Sequence, residues 1–197
     1  MYRYVPRVFC KHLAGAATAS AQLALAIGLG VPTAHAQAIE VAPKGIYVEI
    51  GGAEHSTYAA GAGLIWPWSL RGSWLGGEIT GSTEAFINHW NAKSWSRRQG
   101  HSLVGVVPLL RYRFSDGRSP WFVEGGIGLS VLDSRIQGPD KSMGSSFNFY
   151  DALAAGFNFG SDRRHELSLR VTHLSNAGIK QPNPGENFIR LRFTALF

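Results

Sequence analysis

Residues 165–175 read HELSLRVTHLS, and the way this stretch alternates decides the fold. Leu167, Leu169 and Val171 occupy every second position, with Ser168 and Arg170 between them. That two-residue period belongs to a β-strand with one apolar face. Carried forward, it puts His173 and Ser175 on the same apolar side, where neither residue gains anything from burial. A strand end at an interface tolerates such polarity. A histidine and a serine at i and i+2 also share a face, close enough for the imidazole to take the hydroxyl proton.

The same alternation recurs on both sides of this stretch. Strands are expected over 44–53, 57–68, 71–86, 101–114, 119–132, 146–159, 165–175 and 187–197, separated by turns rich in Gly, Pro, Asn, Asp and Ser. Eight such strands suit either a soluble barrel, apolar inside, or an outer-membrane barrel, apolar outside with a polar lumen. The polar faces collect Glu49, Glu78, Glu124, Arg113, Arg170, Arg190 and Arg192, enough opposite charge to plug a narrow lumen with ion pairs. Trp66, Trp68, Trp74 and Trp121 stand near strand ends, where interfacial aromatic girdles form. The chain stops inside its last strand on Phe197, as bacterial outer-membrane proteins commonly do. The expected fold is therefore all-β, an eight-stranded antiparallel transmembrane barrel.

The N-terminus has the form of a secretory leader. Arg3, Arg7 and Lys11 precede an apolar, small-residue run, and Ala34-His35-Ala36 fits a cleavage site. Residues 1–36 are read as the signal peptide and 37–197 as the barrel domain. The only cysteine, Cys10, falls in the leader, so no disulfide or thiolate chemistry is expected of the mature chain. Beyond residue 36 no apolar run is long enough for a membrane helix. The leader holds three basic residues and no acid, so the remainder carries 16 Lys and Arg against 13 Asp and Glu. That excess, in an exported chain, argues against a nucleic-acid partner.

A His-Ser pair needs an orienting carboxylate and an oxyanion site before it can do acyl transfer. Glu186 is the one acid between Leu167 and Phe197 on the partner strand of the last hairpin. Its even position points it inward with Arg190, and a bulge near Pro184-Gly185 would be needed to re-aim it. Asp151 falls on the apolar face of the sixth strand with no assigned part beyond a rim or oligomer contact. His55, His89 and His101 read as surface or rim residues, His89 in a tryptophan-rich loop. There is no G-x-S-x-G elbow, and the His165-Glu166 pair lacks the second histidine of a zinc-protease helix.

The segment THLSNAGIKQPNPGENF, residues 172–188, resembles the signature of the PagL family, outer-membrane lipid A 3-O-deacylases. Its H-x-S-N core is met by His173, Ser175 and Asn176, and its K-x-P-N loop by Lys180, Pro182 and Asn183. One departure stands out: some members space the acid one residue further from the histidine. The resemblance implies a barrel in the bacterial outer membrane, crossing it many times, whose triad faces the lipid so that it meets lipid A of lipopolysaccharide in the outer leaflet. Ser175 would be the nucleophile, His173 the base and Glu186 its orienting group. Asn176 or Asn183, with backbone N–H groups around Gly178, would bind the oxyanion, and Lys180 would attract a lipid A phosphate. No metal or cofactor is required. The competing readings are a non-catalytic adhesin or structural barrel and an outer-membrane phospholipase. The apolar walls leave a homodimer open.

Overall fold

A computed structural model describes residues 42–54, 56–95, 97–138 and 140–197. The leader, with Cys10, and His55 lie outside the described residues. Eight strands follow in chain order: β1 (Gly45–Ala53), β2 (Thr57–Trp74), β3 (Gly77–Lys93), β4 (Arg98–Phe114), β5 (Trp121–Leu132), β6 (Phe147–Phe159), β7 (His165–Ser175) and β8 (Glu186–Leu196). Each pairs antiparallel with its chain neighbours. β1 also pairs with β8, from Gly45↔Leu196 to Ala53↔Phe188, so the sheet is a closed barrel in which every strand has a partner on both sides.

The plan expected from sequence needs correction in its first half. The stretch 71–86 is not one strand. It is split by a two-residue turn at Leu75-Gly76, with Trp74 paired to Gly77 across it. Both turn residues have positive φ, 46° and 73°, the backbone of the tight hairpin turn whose usual signature is Asn-Gly or Asp-Gly. A leucine in the first place hides that signal. β2 also runs through Pro67, where the β2–β3 register shifts between Pro67 and Arg71. Proline is tolerated in a strand at such an irregularity. β3 continues to Lys93, so His89 lies on a strand and not in a loop, with Nδ1 3.3 Å from Ser102 Oγ. His101 is not a surface residue: it is buried on β4, its Nδ1 2.9 Å from Ser134 Oγ.

The polarity of the wall is the inverse of a soluble barrel. Ile50, Ile87, Val104, Ile127, Leu153, Leu169 and Ile189 are exposed on the outside, while Glu49, Glu84, Glu124, Glu166, Arg170, Arg190 and Arg192 are buried. The buried charges form one continuous zigzag. Arg190 and Arg192 hold Glu49 at 3.0 and 2.7 Å; Arg192 and Arg170 hold Glu84 at 2.8 and 2.9 Å. Arg170 and Arg111 then share Glu124, and Arg111 ends the chain on Glu166. Two residues expected in this network stand apart from it. Glu78 pairs with Arg71 at the exposed rim, and Arg113 bonds Asn158. Their places are taken by Glu84, Glu166 and Arg111.

Towards the end carrying the longer loops, the interior turns apolar. Trp90, Leu103, Leu132, Leu174 and Phe188 pack there, capped by Ile136 and Met143 from the 133–146 loop. At the short-turn end the outer wall carries the aromatic run Trp121, Phe157, Phe159, His165 and Phe193. Ion-paired side chains thus line one part of the interior and apolar side chains another.

Candidate active site

On β7 the even residues Arg170, Thr172 and Leu174 are fully buried, while Leu169 and Val171 are exposed. His173 and Ser175 continue the odd series and are half-buried on the outer wall. Their Cα atoms stand about 6.6 Å apart along the strand. The pair thus lies on the apolar exterior, one turn of the pleat below the loop 176–185.

The register across the wall defines the surroundings of His173. Leu153, Val171 and Ile189 form one apolar row across β6, β7 and β8; the next row is Asp151, His173 and Asn187. One step further, Phe149 stands beside Ser175. Three polar side chains in consecutive strands therefore interrupt an otherwise apolar surface, at the height of the histidine.

The partner of His173 is Asn187, whose Oδ1 lies 2.7 Å from the ring Nδ1. Against an amide oxygen, Nδ1 is the protonated nitrogen and donates, which leaves Nε2 with its lone pair free to accept a proton. Gly185 completes the seat. Its φ is +70°, and a Cβ added there would come within 2.6 Å of His173 Cε1. Only glycine lets the ring lie so close to the backbone.

Glu186 is placed elsewhere. The β7–β8 register runs unbroken through His173↔Asn187 and Leu174↔Glu186, so no bulge re-aims the carboxylate. Glu186 keeps the inward parity of Phe188 and Arg190, is buried, and pairs with Lys141 of the 133–146 loop at 3.2 Å. It ties that loop to β8, while the odd-numbered Asn187 takes the outward position beside the imidazole.

The loop after β7 is organised around Asn176. This buried side chain donates through Nδ2 to Ser145 Oγ and to the Lys180 carbonyl, both at 2.7 Å, and its Oδ1 accepts from Gly178 N–H at 3.0 Å. The polar atoms of the Asn176 side chain and the Gly178 amide are therefore spent within this loop and on Ser145 of the neighbouring one. Asn183 is different. Its Oδ1 accepts from Asn176 N–H at 3.0 Å, and among the described residues its Nδ2 has no partner. Of the oxyanion candidates it alone keeps a side-chain donor. Lys180 is exposed on the loop. Gly144 N–H donates to the Pro182 carbonyl at 2.7 Å, joining this loop to its neighbour.

Comparison with known proteins bears on this geometry. Residues 57–195 match the model of the family described as lipid A 3-O-deacylase (PagL). The chain belongs to the PagL family. The lipid A deacylase PagL of Pseudomonas aeruginosa is 31% identical over 166 residues, covering 83% of this chain and 91% of that protein. The lipid A deacylase PagL of Bordetella bronchiseptica is 34% identical over 134 residues, 68% of this chain and 70% of its own. A crystal structure of the outer membrane enzyme PagL matches with a TM-score of 0.67 at 29% identity, over 78% of this chain and 99% of that one.

Asn187 and Asp151 flank His173 in this row, and the sequence reading assigns neither of them a catalytic part. Strand parity was the available signal. Counting outward positions on β8 as Ile189, Leu191 and Phe193 makes 187, not 186, the residue that meets His173.

Proposed function

We propose that this PagL family member is an outer-membrane esterase that hydrolyses the 3-O-linked hydroxyacyl ester of lipid A, with Ser175 as nucleophile and His173 as general base. One observation carries the reading. A histidine with Nδ1 committed to an amide oxygen stands two residues from a serine on the apolar outer face of β7. Catalytic groups turned outward meet an ester that is itself part of the outer leaflet, without extracting it. The names of the relatives support the substrate class.

In the first half-reaction Ser175 Oγ attacks the ester carbonyl carbon as its proton passes to His173 Nε2. The tetrahedral intermediate collapses, the carbonyl carbon–oxygen bond to the sugar breaks, and His173 returns the proton to the departing 3-hydroxyl. Water then attacks the acyl-serine, gives its proton to His173, and Ser175 is regenerated as the free hydroxy fatty acid leaves. Asn187 holds the ring in the tautomer that makes Nε2 the acceptor. Asn183 Nδ2 is the donor available to the oxyanion, a contribution of about 2.7–4 kcal/mol for one such group. Lys180 offers a positive charge to a lipid A phosphate at the level of the loop.

Mass spectrometry of lipid A from cells producing the wild type or Ser175→Ala tests this directly. Loss of one hydroxyacyl chain is expected with the wild type and not with the variant. No loss with the wild type would remove lipid A as substrate. Loss that persists in Ser175→Ala would keep the activity and discard the nucleophile.

A further inference from the structure

The pair His173–Asn187 leaves a charge unaccounted for. During acyl transfer the proton leaving Ser175 Oγ makes His173 an imidazolium, while Nδ1–H still donates to Asn187 Oδ1. An amide orients the ring but carries no charge, and a cation at a lipid-facing wall is poorly solvated. Resting on the function proposed above, the structure assigns the missing charge to Asp151, a positioning residue that stabilises the His173 imidazolium from the strand opposite Asn187.

Asp151 is the direct cross-strand partner of His173 on β6, as Asn187 is on β8. Directly opposed residues in an antiparallel pair have Cβ atoms about 4.5–5.5 Å apart. The carboxylate therefore stands within side-chain reach of the ring, on the side away from Asn187. The surroundings offer no substitute. On β6 the flanking outward residues are Phe149 and Leu153; on β7 they are Val171 and Ser175; on β8 the next is Ile189. From the loop the ring meets Gly185, Lys180 is a cation, and Glu186 faces inward on Lys141. A carboxylate on the lipid side of a barrel costs stability wherever it serves no purpose. Its row-mates explain its place: it lies at the height of the one group that becomes positive.

The test is the pH dependence of kcat and kcat/KM for detergent-dispersed lipid A, with wild type, Asp151→Asn and the double variant Asp151→Asn/Asn187→Asp. Exchanging the outer-wall acid for its neutral isostere does not threaten assembly. Asp151→Asn is expected to lower kcat about tenfold or more, to leave KM near its original value, and to move the acid limb of kcat/KM down by about one pH unit. The double variant, which returns a carboxylate from the other side, is expected to move the limb back up and recover most of the rate. An acid limb that stays put in Asp151→Asn overturns the assignment, whatever happens to the rate. A moved limb that the double variant fails to return also overturns it. If the wild type releases no hydroxyacyl chain, the proposed function falls; if it does and the limb is unmoved, only the role of Asp151 falls.

Discussion

The inside and the outside of this barrel treat polar side chains in opposite ways. Inside, Glu49, Glu84, Glu124 and Glu166 alternate with Arg190, Arg192, Arg170 and Arg111 so that each carboxylate is held by arginine. Outside, Asp151, His173 and Asn187 stand in a single row on an apolar wall, with one hydrogen bond of 2.7 Å between His173 and Asn187. Paired charge of this kind is a scaffold, because each carboxylate is fixed by arginine and buried inside the wall. Sparse polarity on an apolar wall is available for chemistry. Polar side chains thus stand ion-paired on the inner face of β7 and sparsely on the outer one, separated by one step of the strand.

Three substitutions sharpen or break this division. The largest expected effect is inside. Arg170→Met removes one of the two arginines that hold each of Glu84 and Glu124 and is expected to cost about 3–5 kcal/mol of stability, measured by urea unfolding in lipid vesicles. The folded fraction should keep its specific activity. A selective loss of turnover in folded protein would mean that the interior takes part in the reaction.

Next comes Asn187→Leu, which suits the apolar wall and leaves assembly intact but frees the imidazole to turn. Turnover is expected to fall about 10²-fold, within the range for general acid–base assistance, with the unfolding midpoint unchanged. The smallest effect belongs to its neighbour. Glu186→Gln should leave turnover within about threefold, because the carboxylate is buried against Lys141 and its loss is felt in the anchoring of the 133–146 loop. A reversal of these two results, with Glu186 essential and Asn187 dispensable, would erase the distinction between the two faces of β8.

How far the sequence carried this picture depends on which signal was asked. Alternation alone gave eight strands and the outward face of His173 and Ser175, because a two-residue period cannot be shifted without inverting every side chain. The early strand limits were lost where Leu75 occupies a turn position normally marked by Asn or Asp, and where Pro67 sits inside β2. The ionic interior was legible as a class but not as a list. Which acids join it depends on cross-barrel reach, and that brought in Glu84, Glu166 and Arg111 while leaving Glu78 on the rim with Arg71.

The triad's third position shows the same limit. Glu186 is the one acid between Leu167 and Phe197, and its even position sets it on the inner face. The unbroken register gives the place beside the ring to an asparagine. The alternation of β6 alone leaves Asp151 as a rim or oligomer contact; only the rows across β6, β7 and β8 set it beside His173.

Covalent capture by a long-chain alkyl fluorophosphonate, presented to the folded protein in lipid vesicles and read by peptide mass spectrometry, puts the central claim to its most direct trial. A single adduct on Ser175 is expected, formed rapidly in the wild type, more slowly in Asn187→Leu and not at all in His173→Ala. No adduct on Ser175, or one that forms equally fast without His173, would contradict an activated serine on the lipid-facing wall.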